Sequence, residues 1–400
     1  MIKKYNIVLG SLVALVVLVQ ACAKLAPGAP AEDRLLDGPV EGLSYEQGRQ
    51  FLKGDIAFND EVFTAETGLG SVFVATSCGS CHAGDGKGHP FTTLTRFGQT
   101  DSTGNKFLQQ GGPQLQNRAL PGYAPEKIPA GATFSNFTPP ANTGLCFLEL
   151  VSDADILAMA DPADADGDGI SGVPNWIELP AFIKSGPNAI ERNGKYIHRF
   201  GKKAAAYNLL HQTVNAYSQD IGIASAFVPA DVYSGLDIDP EIPTATVNNV
   251  VFYLQTLKAP IRRNIQDAAV IRGQQLFIQA GCEKCHKQDL KTAFSAIEPL
   301  SNKLFHPYTD LLLHDMGNQL DDGYTEGTAK TAEWRTPPLW GLGLSPNSQG
   351  GQYFLLHDGR AKSIEAAILL HGGEGSTSRE NFSKMSEAEK QDMTSFLKSL

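Results

Sequence analysis

Two Cys-X-X-Cys-His pentads carry the strongest chemical signal in this 400-residue chain: Cys78-Gly79-Ser80-Cys81-His82 and Cys282-Glu283-Lys284-Cys285-His286. Two thiols at this spacing can add to the two vinyl groups of a haem, and the adjacent histidine then falls under the iron as proximal ligand. A zinc knuckle would need two further thiols or imidazoles at knuckle spacing, and no other Cys or His pair supplies them. A thioredoxin-like dithiol has no use for a histidine after each pair. The pentads therefore point to two covalently bound haems c. Cys78, Cys81, Cys282 and Cys285 are the attachment points, and His82 and His286 the iron ligands.

A second constellation is acidic. Asp164-Ala165-Asp166-Gly167-Asp168-Gly169-Ile170 sets three carboxylates at alternating positions with glycines for a tight turn. Hard oxygen ligands at this spacing suit Ca2+. The full twelve-residue hand is not matched: the apolar residue comes one position early, and Asn175 stands where a bidentate Glu belongs. Asp161 can contribute from upstream. Calcium would act structurally, holding loop geometry near a haem.

Helices must position these groups. Gly273-Gln274-Gln275-Leu276-Phe277 leads into the second pentad and reads as an amphipathic helix carrying the haem site at its end. Val247, Val250, Val251, Leu254 and Leu257 fall at helical spacing, as do Met393, Phe396, Leu397 and Leu400, so each half closes on a helix. Tyr253-Leu254-Gln255-Thr256-Leu257 aligns with Phe396-Leu397-Lys398-Ser399-Leu400, and Thr138-Pro139-Pro140 echoes Thr336-Pro337-Pro338 in the same order. The proline pairs predict stiff loops that line a haem edge. With strand signals sparse, the expected fold is mainly α: two cytochrome c-like haem domains with long structured loops, at 43–260 and 261–400.

Residues 1–21 read as a lipoprotein signal, with Lys3 and Lys4 ahead of an apolar stretch from Ile7 to Val19 that is short for a membrane span. Val19-Gln20-Ala21-Cys22 resembles a bacterial lipoprotein cleavage box, which makes Cys22 the lipidated first residue and 22–42, rich in Ala, Pro and Gly, a tether. Haem c is attached on the outer side of the bacterial inner membrane, so this address agrees with the pentads. The expected location is the cell envelope, facing the periplasm. Ala23 after the lipid cysteine lacks the aspartate that favours inner-membrane retention, which points to the outer membrane. Cys146, in Leu145-Cys146-Phe147-Leu148, is left as a buried inert thiol. Loss of residues 1–21 takes away two lysines and no acid, moving the formal charge from −10 to −12. That argues against a nucleic-acid partner and suits a basic electron-donor protein.

From Tyr45 to Leu400 the chain resembles the bacterial diheme c-type oxidoreductases labelled peroxidases or thiol oxidoreductases, relatives of the diheme cytochrome c peroxidases. The stretches that carry the resemblance are Tyr308-Thr309-Asp310-Leu311-Leu312-Leu313-His314-Asp315-Met316-Gly317 and Glu333-Trp334-Arg335-Thr336-Pro337-Pro338-Leu339-Trp340-Gly341. A third is Phe354-Leu355-Leu356-His357-Asp358-Gly359-Arg360, leading to His371. In those peroxidases the second haem receives electrons and carries a distal methionine at a fixed distance after the His-Asp-Gly-type turn. Here His371 stands at that distance from His357, so the resemblance implies a bis-histidine second haem, with Met316 as the competing ligand. The peroxidases' distal histidine on the first haem has no counterpart. His89 lies too close to the pentad, and His198 and His211 read as ordinary histidines. Gln212 and Asp220 resemble the family's glutamine and following acid, which help break the O–O bond, with Asp in place of Glu; Glu149 is a second candidate acid. Arg335 suits a haem propionate. Trp176, Trp334 and Trp340 are candidate relays or packing mass.

The implied function is a peroxidase-type diheme oxidoreductase. Electrons from a small cytochrome c or cupredoxin-like donor enter at the second haem and reduce hydrogen peroxide at an open first haem. The alternatives are a diheme oxidase of a thiol, metal ion or organic substrate, and a pure electron carrier.

Overall fold

Two helix pairs frame the two halves of the chain. A computed structural model describes residues 31–101 and 104–400; the expected signal and the lipidation site Cys22 lie outside the described residues. Leu36–Leu400 form one compact unit, which holds every described element that positions chemistry.

In the first half an opening helix, Tyr45–Asn59, starts at a capping box in which Ser44 Oγ accepts from Gln47 N–H and Gln47 Oε1 accepts from Ser44 N–H. It lies against the closing helix Thr244–Thr256, which buries Val247, Val250, Val251 and Leu254. In the second half the opening helix Ala268–Gln279, capped by Asp267, lies against the closing helix Glu387–Ser399, which buries Met393, Phe396 and Leu397. Both pairs cross at a glycine. A Cβ on Gly54 would stand 2.1 Å from Asn249 O and 2.5 Å from Tyr253 Cβ. On Gly273 it would stand 2.0 Å from Asp392 O and 2.8 Å from Phe396 Cβ. Only a residue without a side chain lets backbones approach this closely.

Four residues after each glycine, a phenylalanine reaches from the crossing to the pentad. Phe58 lies 5.5 Å from the Tyr253 ring and 5.9 Å from His82. Phe277 lies 5.3 Å from Phe396 and 6.3 Å from His286. The same contact set is thus built twice.

Beyond the helix pairs the expectation of a mainly helical fold needs correction. The content is mixed, 33% helix and 12% strand. The strands are two to four residues long and pair loop with loop, too short to show an alternating pattern in the sequence. Leu94–Phe97 pairs antiparallel with Phe134–Phe137, and Leu313–Asp315 with Glu333–Arg335. Asn175–Glu178, Lys195–His198 and Glu191–Arg192 form a three-stranded sheet. Two main apolar cores follow the helix pairs. The first also takes in Leu290, Phe305, Leu312 and Trp340 from beyond residue 260, so loops of the second half help to build the first core. Cys146 is buried in a smaller cluster with Val40 and Leu300. Among the described residues no helix is long and apolar enough to cross a membrane.

Candidate functional site

The proximal sides of the two pentads are alike. His82 lies under the Pro139-Pro140 loop and donates its Nδ1–H to Pro140 O (2.9 Å). His286 donates Nδ1–H to Tyr308 O (2.9 Å). A carbonyl can only accept, so the proton is fixed on Nδ1 and Nε2 is left with its lone pair, the arrangement that orients a metal-ligating imidazole. Burial pushes both histidines down to about 4, which keeps them neutral. Burial also pushes the Cys78, Cys81 and Cys282 thiols up to about 12, 11 and 12, and the four pentad cysteines form no disulfide. Thiols held un-ionised by burial do not favour a redox dithiol and are compatible with thioether attachment. The Tyr217 hydroxyl, in the electrostatic field of Cys78, is buried with no partner among the described residues. The donors present at both pentads therefore fit a haem.

Beyond this the two sites differ. At the first pentad the helix Leu209–Asn215 runs into a π-helical turn, Ala216–Asp220. Such turns re-aim side chains. This one sends the Asp220 carbonyl to Val74 and Ala75 N–H while its side chain enters a polar cavity of about 70 Å³. Gln212, Arg96, Gln114, Gln219 and Lys202 line the same cavity. Burial pushes the Asp220 carboxyl up to about 7, against the opposing pull of Arg96 and of the Gln114 amide that donates to Oδ1. Arg96 is a hub: Nη1 donates to Gln114 Oε1 and Gln219 Oε1 (both 3.1 Å), Nη2 to Glu326, and Nε to Tyr324 Oη (3.3 Å). Asp220 also acts electrostatically on both Cys78 and Cys81, which places the cavity beside this pentad.

The structure brings Gln212 and Asp220 together and sets Glu149 apart. Glu149 accepts from Leu209 N–H (2.7 Å) and Gln255 Nε2 (2.8 Å), so it anchors the start of the helix that bears Gln212 and does not line the cavity. His198 donates Nδ1–H to Ala205 O, and His211 accepts from Tyr207 N–H; neither lines the cavity. His89 accepts from Phe91 N–H, and its ring packs on Phe91 and Phe354.

Near the second pentad stands a further imidazole, that of His371. His371 follows the short helix Ile364–Leu369 and donates Nδ1–H to Ala367 O (2.7 Å); among the described residues its Nε2 has no hydrogen-bond partner, like those of His82 and His286. Its ring acts directly on the His286 titration. Met316 is close by: the position a Cβ on Gly375 would take is 3.0 Å from His371 Cβ and 3.4 Å from Met316 Cε. His314 is a different kind of histidine. Its Nε2 meets Asp310 (2.8 Å), its Nδ1 meets Glu374 (2.6 Å), and Cys285 Sγ lies 3.6 Å away. Burial opposes its charge, but these partners hold it well above the usual range as an imidazolium. Arg335 is pushed down to about 10 by burial; its Nε donates to Gly201 O and its Nη1 to Thr336 O. Trp334 stacks on His357 (3.7 Å, 4°), Trp176 carries Arg192 over its ring, and Trp340 belongs to the first core.

The acidic loop is split. Asp161, Asp164 and Asp166 each offer an oxygen within 4.8 Å of one another, whereas Asp168 pairs with Lys284 of the second pentad (3.0 Å). Asn175 is buried away from the loop and bonds Lys203 O and Glu326 O. Sequence reasoning missed Arg96, Gln114, Gln219 and Glu326. Their only local signal is the polar and aromatic mix of Leu94–Phe97, which does not reveal a partner more than two hundred residues away.

Residues 135–400 match the family described as "Di-haem oxidoreductase, putative peroxidase". No curated protein matches the chain. Among solved structures the chain is similar to hydrazine synthase of Kuenenia stuttgartiensis (15% identity over 94% of this chain and 98% of that one, TM-score 0.39). It is also similar to a MauG-like protein associated with microbial copper homeostasis (14%, 94% and 95%, TM-score 0.39). A third is the diheme peroxidase BthA of Burkholderia thailandensis (16%, 94% and 94%, TM-score 0.42). At TM-scores this low the likenesses carry no argument about activity.

Proposed function

Starting from a chain that belongs to the di-haem oxidoreductase family, we propose a peroxidase-type enzyme that reduces hydrogen peroxide, with the second pentad serving electron entry and the first pentad serving the peroxide chemistry. The observation that carries this reading is the unequal pair of distal sides: His371 beside His286, and a polar acid-bearing cavity beside the first pentad. Held by Cys78, Cys81 and His82 and by Cys282, Cys285 and His286, the haems would supply electron transfer and the reduction of peroxide. Each peroxide consumes two electrons and two protons and leaves two waters; the electrons come from a small cytochrome c or cupredoxin-like donor.

The chain's own residues attach, orient and deliver protons. Cys78, Cys81, Cys282 and Cys285 form the thioethers, and His82, His286 and His371 present Nε2 as ligand atoms. Gln114 occupies Asp220 Oδ1, so Oδ2 holds the proton, and with a value near 7 that proton is available at neutral pH. Gln212 lines the same cavity and orients the small substrate. Arg96 positions Asp220 through Gln114 rather than acting on substrate itself. Asp161, Asp164 and Asp166 take a structural Ca2+ in a loop that Asp168 ties to the second pentad. Cys22 carries the lipid that anchors the enzyme in the envelope, facing the periplasm.

Peroxide turnover with a reduced c-type cytochrome as donor tests the reading. Turnover is expected. A first haem that binds cyanide but turns over no peroxide would rule out the peroxidase and favour an oxidase of another substrate.

A further inference from the structure

Trp334 sits in an apolar cluster that touches both sites. Leu94 and Phe137 of this cluster line the Asp220 cavity, and Met316 stands beside His371. The indole π-system is electron-rich, so a ring in this place could be oxidised by a site that handles peroxide. Its surroundings oppose that loss. Lys203 places Nζ 3.9 Å from the Trp334 ring centroid. The lysine is fully buried and Trp334 is 7% exposed. All three ammonium protons are used, on the carbonyls of Lys330 (2.8 Å), Thr331 (3.1 Å) and Glu333 (2.7 Å), so the charge is pinned over the ring. Burial pulls Lys203 down only to about 8, which leaves it charged at neutral pH.

His357 stacks on the same ring at 3.7 Å and 4°, and two groups this close to one centroid occupy opposite faces. In the ring plane Nε1 donates to Leu320 O (2.8 Å), a carbonyl that cannot take the proton an oxidised indole would shed. The neighbouring carboxylates have partners of their own: Asp322 has His357, Ser135 and Arg360, Glu333 has Lys330, and Glu326 has Arg96. A neutral ring attracts a cation through its quadrupole, whereas a ring that has lost an electron repels it, strongly so away from water. Trp176 also carries a cation, Arg192 at 4.6 Å, but that guanidinium is exposed and screened by solvent.

We propose that Lys203 guards Trp334 against one-electron oxidation, so that an oxidised first site draws its electrons from the second site and not from the protein. The role rests on the peroxidase reading, under which peroxide supplies the oxidant. In the step that Lys203 blocks, one electron leaves the Trp334 ring and reduces the oxidised first site by one equivalent. The ring becomes a cation that keeps its N–H, and further oxidation by excess peroxide in water leaves oxygen adducts on it. Lys203 touches neither substrate nor a pentad; it acts through the ring it covers.

The test compares the full-length holoprotein with Lys203→Met, Lys203→Gln, Lys203→Arg and Trp334→Phe. Each is exposed, without an electron donor, to hydrogen peroxide. A parallel series uses photogenerated tris(bipyridine)ruthenium(III), an outer-sphere oxidant that needs no peroxide chemistry. Peptide mass spectrometry follows oxygen adducts on Trp334, and EPR of freeze-quenched samples follows a tryptophan radical, with Trp334→Phe as control. Adducts should form about tenfold faster in Lys203→Met and Lys203→Gln than in the wild type, and Lys203→Arg should return to the wild-type rate. Thermal melting and haem content identify a variant that has loosened, and Lys203→Gln, which keeps an amide donor for the carbonyls, decides where Lys203→Met fails to fold. Equal rates in the wild type and the neutral variants under the ruthenium oxidant would overturn the guard. So would Lys203→Arg reacting as fast as Lys203→Met, which would show packing rather than charge at work. A wild type that consumes no peroxide would refute the peroxidase reading, while the ruthenium series still decides the guard.

Discussion

The two halves are matched on the proximal side and divergent on the distal side. Gly54 and Gly273 let each helix pair touch, Phe58 and Phe277 carry the crossing to the pentads, and His82 and His286 each donate Nδ1–H to a carbonyl. Beyond these, one half places His371 near its pentad and the other places Asp220, Gln212 and the Arg96 network near its own. The comparison teaches that the helix framework sets where each pentad sits, whereas the loops between the helices set what surrounds it. Loops can diverge because much of their backbone is held by short pairings and side-chain bonds, even where Leu312 and Trp340 reach into a core.

The largest effect should come from breaking the first distal side. Asp220→Asn removes the proton but keeps the shape, and peroxide turnover should fall about 10²–10⁴-fold with haem content intact. Glu149→Gln should act mainly through the helix it anchors, seen as lower thermal stability. Equal losses of turnover in both variants would blur the distinction between catalytic and anchoring acid.

The framework itself comes next. Gly54→Ala and Gly273→Ala should each cost about 1–3 kcal/mol, since the added methyl meets backbone that cannot move cheaply. Denaturant titrations that found one glycine tolerant and the other not would show that the crossings are not equivalent.

A smaller, graded effect is expected with pH. The Asp220 carboxyl is raised from 3.8 to about 7 in the folded protein, so the folded state favours its neutral form. Its contribution to stability is therefore full below about 3.8 and is lost as pH rises toward about 7. Turnover that needs this proton should fall with rising pH through about 7, approaching tenfold per unit above it. Buried Asp85 is also pushed up to about 7, so the Asp85→Asn variant should keep the fall in turnover if Asp220 is its source.

The least effect belongs to the acidic loop. Asp168→Asn breaks an exposed pair with Lys284 and should cost at most about 1 kcal/mol by thermal melting.

Much of this comparison is legible in the sequence where chemistry is local. Each pentad is five consecutive residues, and the closing helices show their buried faces at helical spacing. The repeated Gly-x-x-x-Phe of residues 54–58 and 273–277 is equally local, but it shows its meaning only once the helices are seen to cross there. The distal cavity is a different matter. Arg96, Gln114, Asp220 and Glu326 come from four separate segments joined by two- to four-residue strands and loop bonds, which leave no periodic trace. Asp168 has the spacing of a calcium ligand, yet a lysine of the second pentad, more than a hundred residues away, takes it instead.

The central claim is that the two haems are unequal, and EPR of the oxidised full-length protein beside His371→Ala tests it most directly. One high-spin and one low-spin signal are expected in the wild type, with the low-spin signal alone altered in His371→Ala. Two low-spin haems in every redox state, or a spectrum unchanged by His371→Ala, would contradict the assignment of electron entry to one half and peroxide chemistry to the other.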